Sequence, residues 1–302
     1  MKKTKSINTL LAILLMSVNK GYKPLFKIIE EKSNLKINNI APLSGGDIND
    51  VFLLNTSEGK KVVKVNSAIR FPGMFEAEMA GMKALKATNA IDAPKIVDVY
   101  TKGNYSCLLM EYRETGSKSS DFWTVFGKQM AHLHKNTQPN FGFSDDNYIG
   151  SLPQPNNAHK NIVDFYIEER LQPQFRLATE NGYSLGDTKK FCSALYHLIP
   201  QEKPALIHGD LWNGNYLVNA NGHPCLIDPA VAYASREMDL SMMKLFGGFS
   251  EELFNTYFEE FPVENDFEER VPIWQLYYLL VHLNLFGKGY LGSCQNIVAR
   301  FT

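Results

Sequence analysis

Cysteine is scarce in this chain, four in 302 residues, and no two of them form a C-x-x-C pair. Cys107, Cys192, Cys225 and Cys294 are widely scattered. That spacing argues against a paired-thiolate zinc site or a disulfide framework and reads as reduced, mostly buried thiols. None stands beside a histidine in a way that suggests a thiol nucleophile. An excess of charge is missing too: 31 Lys and Arg against 32 Asp and Glu leave a formal net charge of −1. This removes the electrostatic case for a nucleic-acid or anionic-membrane partner. No G-x-x-x-x-G-K-[ST] occurs, so a P-loop nucleotide site is not supported. Internal repeats and low-complexity linkers are also absent. An apolar run from Ile7 to Val18 follows Lys2, Lys3 and Lys5 and superficially copies a secretory leader. It is too short to span a bilayer, Asn8, Thr9 and Ser17 interrupt it, and no small-x-small cleavage site follows. It reads as a helix packed on the body of the protein.

What is present suggests two lobes with sizeable cores, since 302 residues exceed one typical domain and 44% are hydrophobic, with 19 Phe and 14 Tyr. The most informative stretch is His208-Gly209-Asp210-Leu211-Trp212-Asn213-Gly214-Asn215, followed by Leu226-Ile227-Asp228-Pro229. An Asp, an Asn five residues on and a second Asp thirteen beyond that form the inventory of a kinase-like phosphoryl-transfer site. One carboxylate orients the acceptor hydroxyl and takes its proton, while an amide and a second carboxylate hold Mg²⁺ against the phosphates of ATP. Asp210 is the expected base, and Asn215 and Asp228 the expected metal ligands. The bland alternative is a polar turn between two strands, which would need none of these residue types.

Upstream, Lys23–Lys32 reads as helix, and Ile37–Leu43, Asp50–Asn55 and Lys61–Val65 read as strands of an antiparallel meander with a turn at Thr56–Gly59. Gly45 and Gly46 lie between the first two strands, where glycines would let backbone amides approach phosphate oxygens; most Gly-Gly pairs are simply turns. Lys64, between β-branched neighbours, is either a solvent-facing strand residue or the lysine that reaches the α- and β-phosphates. Phe75–Thr88 reads as a helix with Met79, Met82 and Leu85 on one stripe. Glu78 is the preferred partner for Lys64 and Glu76 the competitor. Ile96–Tyr100 and Tyr105–Met110 are further strands, and Met110, Glu111 and Tyr112 mark the exit where an adenine edge would bind. From Asp121 the chain reads as mainly helical: Asp121–Lys135, Asn161–Asn181, Asp187–Leu198 capped by Asp187, Ser235–Phe246, and an aromatic, apolar core segment Val271–Phe286. His132 and His134 read as structural rather than as ligands.

From about Ile37 to the C-terminus the chain resembles the fructosamine kinase, or ketosamine-3-kinase, family, relatives of aminoglycoside and choline kinases. The resemblance rests on the His208–Asn215 and Ile227–Ala230 motifs, Phe141-Gly142-Phe143, and the block Asp146-Asn147-Tyr148-Ile149-Gly150-Ser151-Leu152-Pro153-Gln154-Pro155-Asn156. Arg236-Glu237 with Asp239-Leu240, Leu245–Phe249, His282–Gly287 and Gly289–Gly292 add to it. It implies an α+β, protein-kinase-like two-lobe fold: a small antiparallel-sheet lobe over residues 1–110 and a mainly helical lobe over 111–302. It further implies ATP and Mg²⁺ as cofactors, Lys64 and Glu78 as the phosphate-positioning pair, and Met110–Tyr112 as the adenine-binding segment. Asp239 corresponds to an aspartate that braces the catalytic loop, and His208 to a loop-bracing residue. Trp212 stands where protein kinases carry a lysine, and its indole offers a face for a sugar. The implied reaction is phosphorylation of a ketosamine at the third sugar carbon, in the cytoplasm, leading to deglycation of small amines or protein lysines. Together with Trp212, the Asn147–Asn156 loop and the Gly289–Gly292 tail are expected to set the substrate. Two departures stand out, the apolar N-terminal run and Asp47 after Gly46, where a cysteine-based redox control has no residue to use. The rivals are an aminoglycoside or choline phosphotransferase and a non-catalytic nucleotide-binding pseudokinase. The first should lack the family-specific blocks, and the second should lack one of Lys64, Asp210, Asn215 and Asp228.

Overall fold

The computed structural model describes residues 21–43 and 48–302. The apolar run through Val18 and the glycine turn with Gly45 and Gly46 lie outside the described residues. The chain divides into two compact units, one reaching Met79 and including Pro94–Arg113, the other comprising Ala80–Ala93 and Glu114–Thr302.

The smaller unit is a sheet with one whole helix and the first residues of a second. Helix α1 (21–33) precedes β1 (Ile37–Pro42), β2 (Asp50–Thr56) and β3 (Gly59–Ser67). Helix α2 (Met74–Ala87) follows, only its residues up to Met79 belonging to this unit, and then β4 (Ile96–Lys102) and β5 (Tyr105–Glu111). The five strands are antiparallel in the order β1-β2-β3-β5-β4. Alternation fixes the register: Phe52 and Leu54 of β2, Val63 and Val65 of β3, and Cys107 and Leu109 of β5 bury one face against Leu25, Phe26 and Ile29 of α1. The β2–β3 turn closes with Gly59 at φ 90°, a conformation that favours glycine, and the Thr56 hydroxyl donates to the Gly59 carbonyl at 2.7 Å.

The larger unit is mainly helical. Helices α3 (Phe122–His134) and α8 (Glu251–Glu260) pack closely enough that a Cβ on Gly127 would lie 2.5 Å from the Leu253 carbonyl oxygen. Their core joins Phe122, Phe126, Met130 and Leu133 to Leu253, Phe254 and Tyr257. A second core surrounds α9 (Phe267–Phe286), where Trp274, Tyr277 and Tyr278 are fully buried. The segment expected as one helix over 161–181 is interrupted: α4 (Ile162–Phe165) runs into a π-helical turn at Tyr166–Leu171 before α5 (Gln172–Glu180). Pro173 in the first turn of α5 has no N–H for the ladder, so the bonding pattern changes there. Helix α6 (Thr188–Leu198) starts as expected, with the Asp187 carboxylate accepting from the Lys190 N–H at 2.9 Å. The α8 helix, capped by Ser250, and α10 (Leu291–Arg300) were not foreseen.

Short strand pairs carry the loops that matter here. They are β6 (Asn147–Ile149) with β7 (Leu152–Gln154), β8 (Ala205–Ile207) with β11 (Ala232–Ala234), and β9 (Tyr216–Val218) with β10 (Pro224–Leu226). All four cysteines are free thiols, Cys192 half-buried and the others buried, and burial pushes Cys107 and Cys294 up to about 12. That agrees with inert core residues. No described helix is long and apolar enough to cross a membrane.

Candidate active site

The chain leaves β8 directly into His208-Gly209-Asp210, and the first turn of α7 (Glu237–Leu245) holds that loop. The carboxylate of fully buried Asp239 accepts the His208 N–H at 2.7 Å and the Gly209 N–H at 2.8 Å. His134 of α3 adds an Nε2 contact to Asp239 at 3.2 Å, and its Nδ1 meets the Tyr257 hydroxyl at 2.8 Å. The bracing aspartate implied by the resemblance is therefore present as bonds to two backbone amides. Burial works against the Asp239 charge, but the His134 hydrogen bond, the imidazoles of His134 and His208, and the Gly209 N–H outweigh it and hold the carboxyl below its ordinary range.

His208 is itself buried and its imidazole is spent on the loop. Nε2 lies 2.9 Å from the Ile227 carbonyl and Nδ1 3.3 Å from the Asp210 N–H. Those partners require the Nε2–H tautomer, which donates to the carbonyl and accepts from the amide. Burial pushes its pKa down, in keeping with a neutral ring. Gly209 sits at φ 84°, and a Cβ there would lie 2.0 Å from the Ala230 carbonyl oxygen. Glycine is required on both counts.

Asp210 and Asn215 meet within this loop. The Asn215 side-chain amide donates to the Asp210 carbonyl at 2.8 Å and to its carboxylate at 3.1 Å. The thirteen-residue step to Asp228 is the β9–β10 hairpin. Its register pairs Leu226 with Tyr216, and the Ile227 N–H donates to the Asn215 carbonyl at 3.1 Å. The residues flanking the open end of the hairpin are thus brought side by side. Asp228 is exposed and adopts φ 56°, a left-handed conformation unusual for a residue with a Cβ. Asp210 keeps a partly open edge. Burial first, then the Asp228 charge, pushes its pKa up to about 7 against the opposing Asn215 hydrogen bond. Trp212 is 39% exposed, and its ring lies over Gly214, where a Cβ would come within 2.3 Å of the indole.

In the smaller unit, Lys64 is no solvent-facing strand residue. It is 6% exposed, and its Nζ lies 2.5 Å from Glu78 Oε1. Glu76 is exposed. Two residues apart on a helix, the two glutamates face opposite ways, so only one can meet the strand. Met110 is buried opposite Val62 of β3 and Ile96 of β4. The Glu111 N–H donates to the Lys95 carbonyl at 2.9 Å, and the Lys60 ammonium lies 5.2 Å over the Tyr112 ring. What sequence reasoning missed is a group of buried amides, Asn147, Gln154 and Asn156. The sequence marked this loop as one that sets the substrate but not as buried, and the burial of Asn147 and Gln154 depends on Ala230, Val231 and Tyr277, far along the chain.

The profile of the fructosamine kinase family matches residues 25–302. A probable ketoamine kinase of Enterococcus faecium is 37% identical over 276 residues, 89% of this chain and 98% of that protein. The chloroplastic protein-ribulosamine 3-kinase of Oryza sativa subsp. indica is 34% identical over 284 residues, 90% of this chain and 81% of that protein. Among solved structures, a candidate fructosamine-3-kinase from Haemophilus somnus superposes with a TM-score of 0.83 at 26% identity, covering 91% of this chain and 95% of that one. The fold is accordingly α+β and kinase-like. The loop in which Asp210 and Asn215 touch lies within a chain matched almost end to end, and the protein belongs to the fructosamine kinase family.

Proposed function

We propose that the protein is an ATP-dependent ketosamine kinase that phosphorylates the third-carbon hydroxyl of a fructosamine- or ribulosamine-type adduct. The observation that carries the reading is the Asp210–Asn215 contact with Asp228 across the hairpin end, one base and two oxygen ligands from three separated positions. Asp210 orients the acceptor hydroxyl and takes its proton. Burial and the Asp228 charge raise the proton affinity of this carboxyl, which favours that task. Asn215 and Asp228 are the cation ligands. Their hard, oxygen-only donor set fits Mg²⁺, because the Asn215 nitrogen is engaged with Asp210 and its oxygen is the atom left to coordinate. When bound, Mg²⁺ neutralises charge on the transferred phosphoryl group.

Lys64, held by Glu78, is assigned to the α- and β-phosphates, Gly45 and Gly46 to close backbone approach to the phosphates, and Met110, Glu111 and Tyr112 to the adenine edge. The exposed Trp212 indole is assigned to the sugar. Relatives named ketoamine kinase and protein-ribulosamine 3-kinase support both the acceptor class and the position of attack. Acceptors are free ketosamines or glycated protein lysines in the cytoplasm. The 3-phosphate breaks down to release the amine, so deglycation is the consequence.

The test is a panel of synthetic ketoamines, free sugars and an aminoglycoside, each with ATP and Mg²⁺, followed by phosphorus NMR. A sugar 3-phosphate that decays to free amine is expected. Robust phosphorylation of the aminoglycoside without ketoamine turnover would overturn the reading.

A further inference from the structure

The Asn147–Asn156 block was expected to help set the substrate, and within it Asn147, Gln154 and Asn156 are only 6%, 2% and 2% exposed. Buried amides need partners, and these have specific ones. Asn147 and Gln154 are paired across the β6–β7 hairpin. The Gln154 side-chain nitrogen donates to Asn147 Oδ1 at 2.7 Å and to the Ala230 carbonyl at 3.2 Å. Asn147 Nδ2 donates to the Val231 carbonyl at 2.8 Å. The hairpin thus grips two consecutive carbonyls, two and three residues beyond Asp228.

That grip falls where the backbone needs it. Asp228 lies at φ 56°, a conformation a residue with a Cβ keeps when its surroundings impose it. The Ala230 N–H is bound to the His208 carbonyl at 2.9 Å, and the Ala230 oxygen lies against Gly209. With its carbonyl also held by Gln154, Ala230 is fixed on both sides. The far end of the hairpin is anchored in turn. The Tyr277 hydroxyl of α9 donates to Gln154 Oε1 at 2.6 Å, which orients the amide so that its nitrogen faces the two acceptors. The buried Arg170 guanidinium, in the π-helical turn, donates to the Pro155 carbonyl at 2.6 Å and to Asn156 Oδ1 at 2.7 Å.

We propose that Asn147 and Gln154, aligned by Tyr277, are positioning residues for Asp228. They hold the Ala230–Val231 backbone and so set the direction in which the Asp228 carboxylate meets the divalent cation. The proposal rests on the reading of Asp228 as a Mg²⁺ ligand. Groups that orient a ligand from behind change metal affinity or activity by about 10–100-fold when altered.

Near-isosteric variants separate this from simple support of the fold. Asn147→Asp and Gln154→Glu keep size but turn a second oxygen toward a carbonyl, while Tyr277→Phe removes one hydroxyl and leaves the ring packed. Titration calorimetry of the full chain with ATP, with Mg²⁺ and with EDTA, reads the effect, with Asp228→Ala in parallel. Expected is a roughly 10–100-fold loss of Mg²⁺-dependent ATP affinity in the two amide variants and a smaller loss in Tyr277→Phe, with metal-free ATP binding kept. Should an amide variant fail to fold, Tyr277→Phe carries the test alone. Normal Mg²⁺-dependent affinity in the positioning variants beside a loss in Asp228→Ala would overturn the proposal and leave the metal reading standing. An equal loss of metal-free ATP binding would overturn it as well, reducing the clamp to support of the fold. Unchanged affinity in Asp228→Ala would overturn the metal reading, and the proposal with it.

Discussion

Replacing Asp210 with Asn should lower activity and raise the stability of the metal-free protein at the same time. The ordinary value near 3.8 is pushed up to about 7, first by burial and then by Asp228. A carboxyl whose folded value lies above its unfolded value binds more protons in the folded state across that window. Stability therefore falls as pH rises from about 4 to 7, and the full cost is present above 7. At about 1.36 kcal/mol per pH unit, roughly three units correspond to an upper bound of about 4 kcal/mol. Because Asp210 keeps an open edge to solvent, a gain of roughly 1–3 kcal/mol in Asp210→Asn is the better expectation. The Asn side-chain oxygen can still accept from Asn215 Nδ2, which sits 3.1 Å from the carboxylate now. For a unit of this size the gain is a melting-temperature rise of roughly 3–10 °C at pH 8, shrinking to nothing near pH 4. Thermal melts in EDTA at several pH values measure it, and turnover with ATP and Mg²⁺ should drop about 10²–10⁴-fold. A variant no more stable than the parent at pH 8 would refute the assignment of burial and like charge as the cause. Near-normal turnover in the folded variant would remove Asp210 from the role of base.

Asp239→Asn should act in the opposite sense, since an amide cannot accept from both the His208 and Gly209 N–H groups with charged oxygens. A loss of about 2–4 kcal/mol, read by denaturant unfolding at pH 7, is expected; no loss would mean that the brace contributes nothing. The same Asp239 carboxyl is held below its ordinary value, so its contribution is present above about pH 4 and is lost as pH falls through the folded value. The variant should lose that limb of the acid-unfolding profile. Lys64→Met removes the largely buried Nζ contact to Glu78 at 2.5 Å and should cost roughly 3–5 kcal/mol. The double variant Lys64→Met, Glu78→Leu should regain most of that stability while still failing to bind ATP normally by calorimetry, and recovered ATP binding would exclude Lys64 from the phosphate site.

The parts legible in the sequence are those set by short-range chemistry. The meander follows from alternating residues and the Thr56–Gly59 turn, and Asp187 announces α6 through its cap. The Asp210–Asn215 contact spans five residues, and the step to Asp228 is a single hairpin, so both are encoded by spacing alone. Lys64 was ambiguous because strand periodicity says which residues share a face and not which face is covered. The Asn147–Gln154–Tyr277 grouping could not be read, since Gln154 and Tyr277 are 123 residues apart and nothing in the α9 pattern says what a buried Tyr hydroxyl there reaches. The π-helical turn was not read either, although Pro173 just beyond it removes an N–H from the ladder.

Asp210, within the His208–Asn215 loop, and Asp239, which braces it, show how one environment shifts two carboxyls in opposite directions. Asp239 has no exposed surface and would be the costlier charge to keep, but two backbone amides and an imidazole converge on it and its ionised form wins. Asp210 receives one side-chain donor and faces a second carboxylate in Asp228, so it holds its proton to about neutral pH. Opposed shifts within one site are the signature of divided roles. The brace has to stay charged at every pH the enzyme meets, because losing it would release the His208 and Gly209 amides. A base at Asp210, as proposed, has to change its state easily, because each turnover brings a proton to it. A charge held by backbone amides is fixed by the fold, whereas a charge held against a neighbouring carboxylate responds to whatever binds beside it. Asp210 is placed in the second situation, and so its protonation should follow the occupancy of the Asp228 side of the site while that of Asp239 does not.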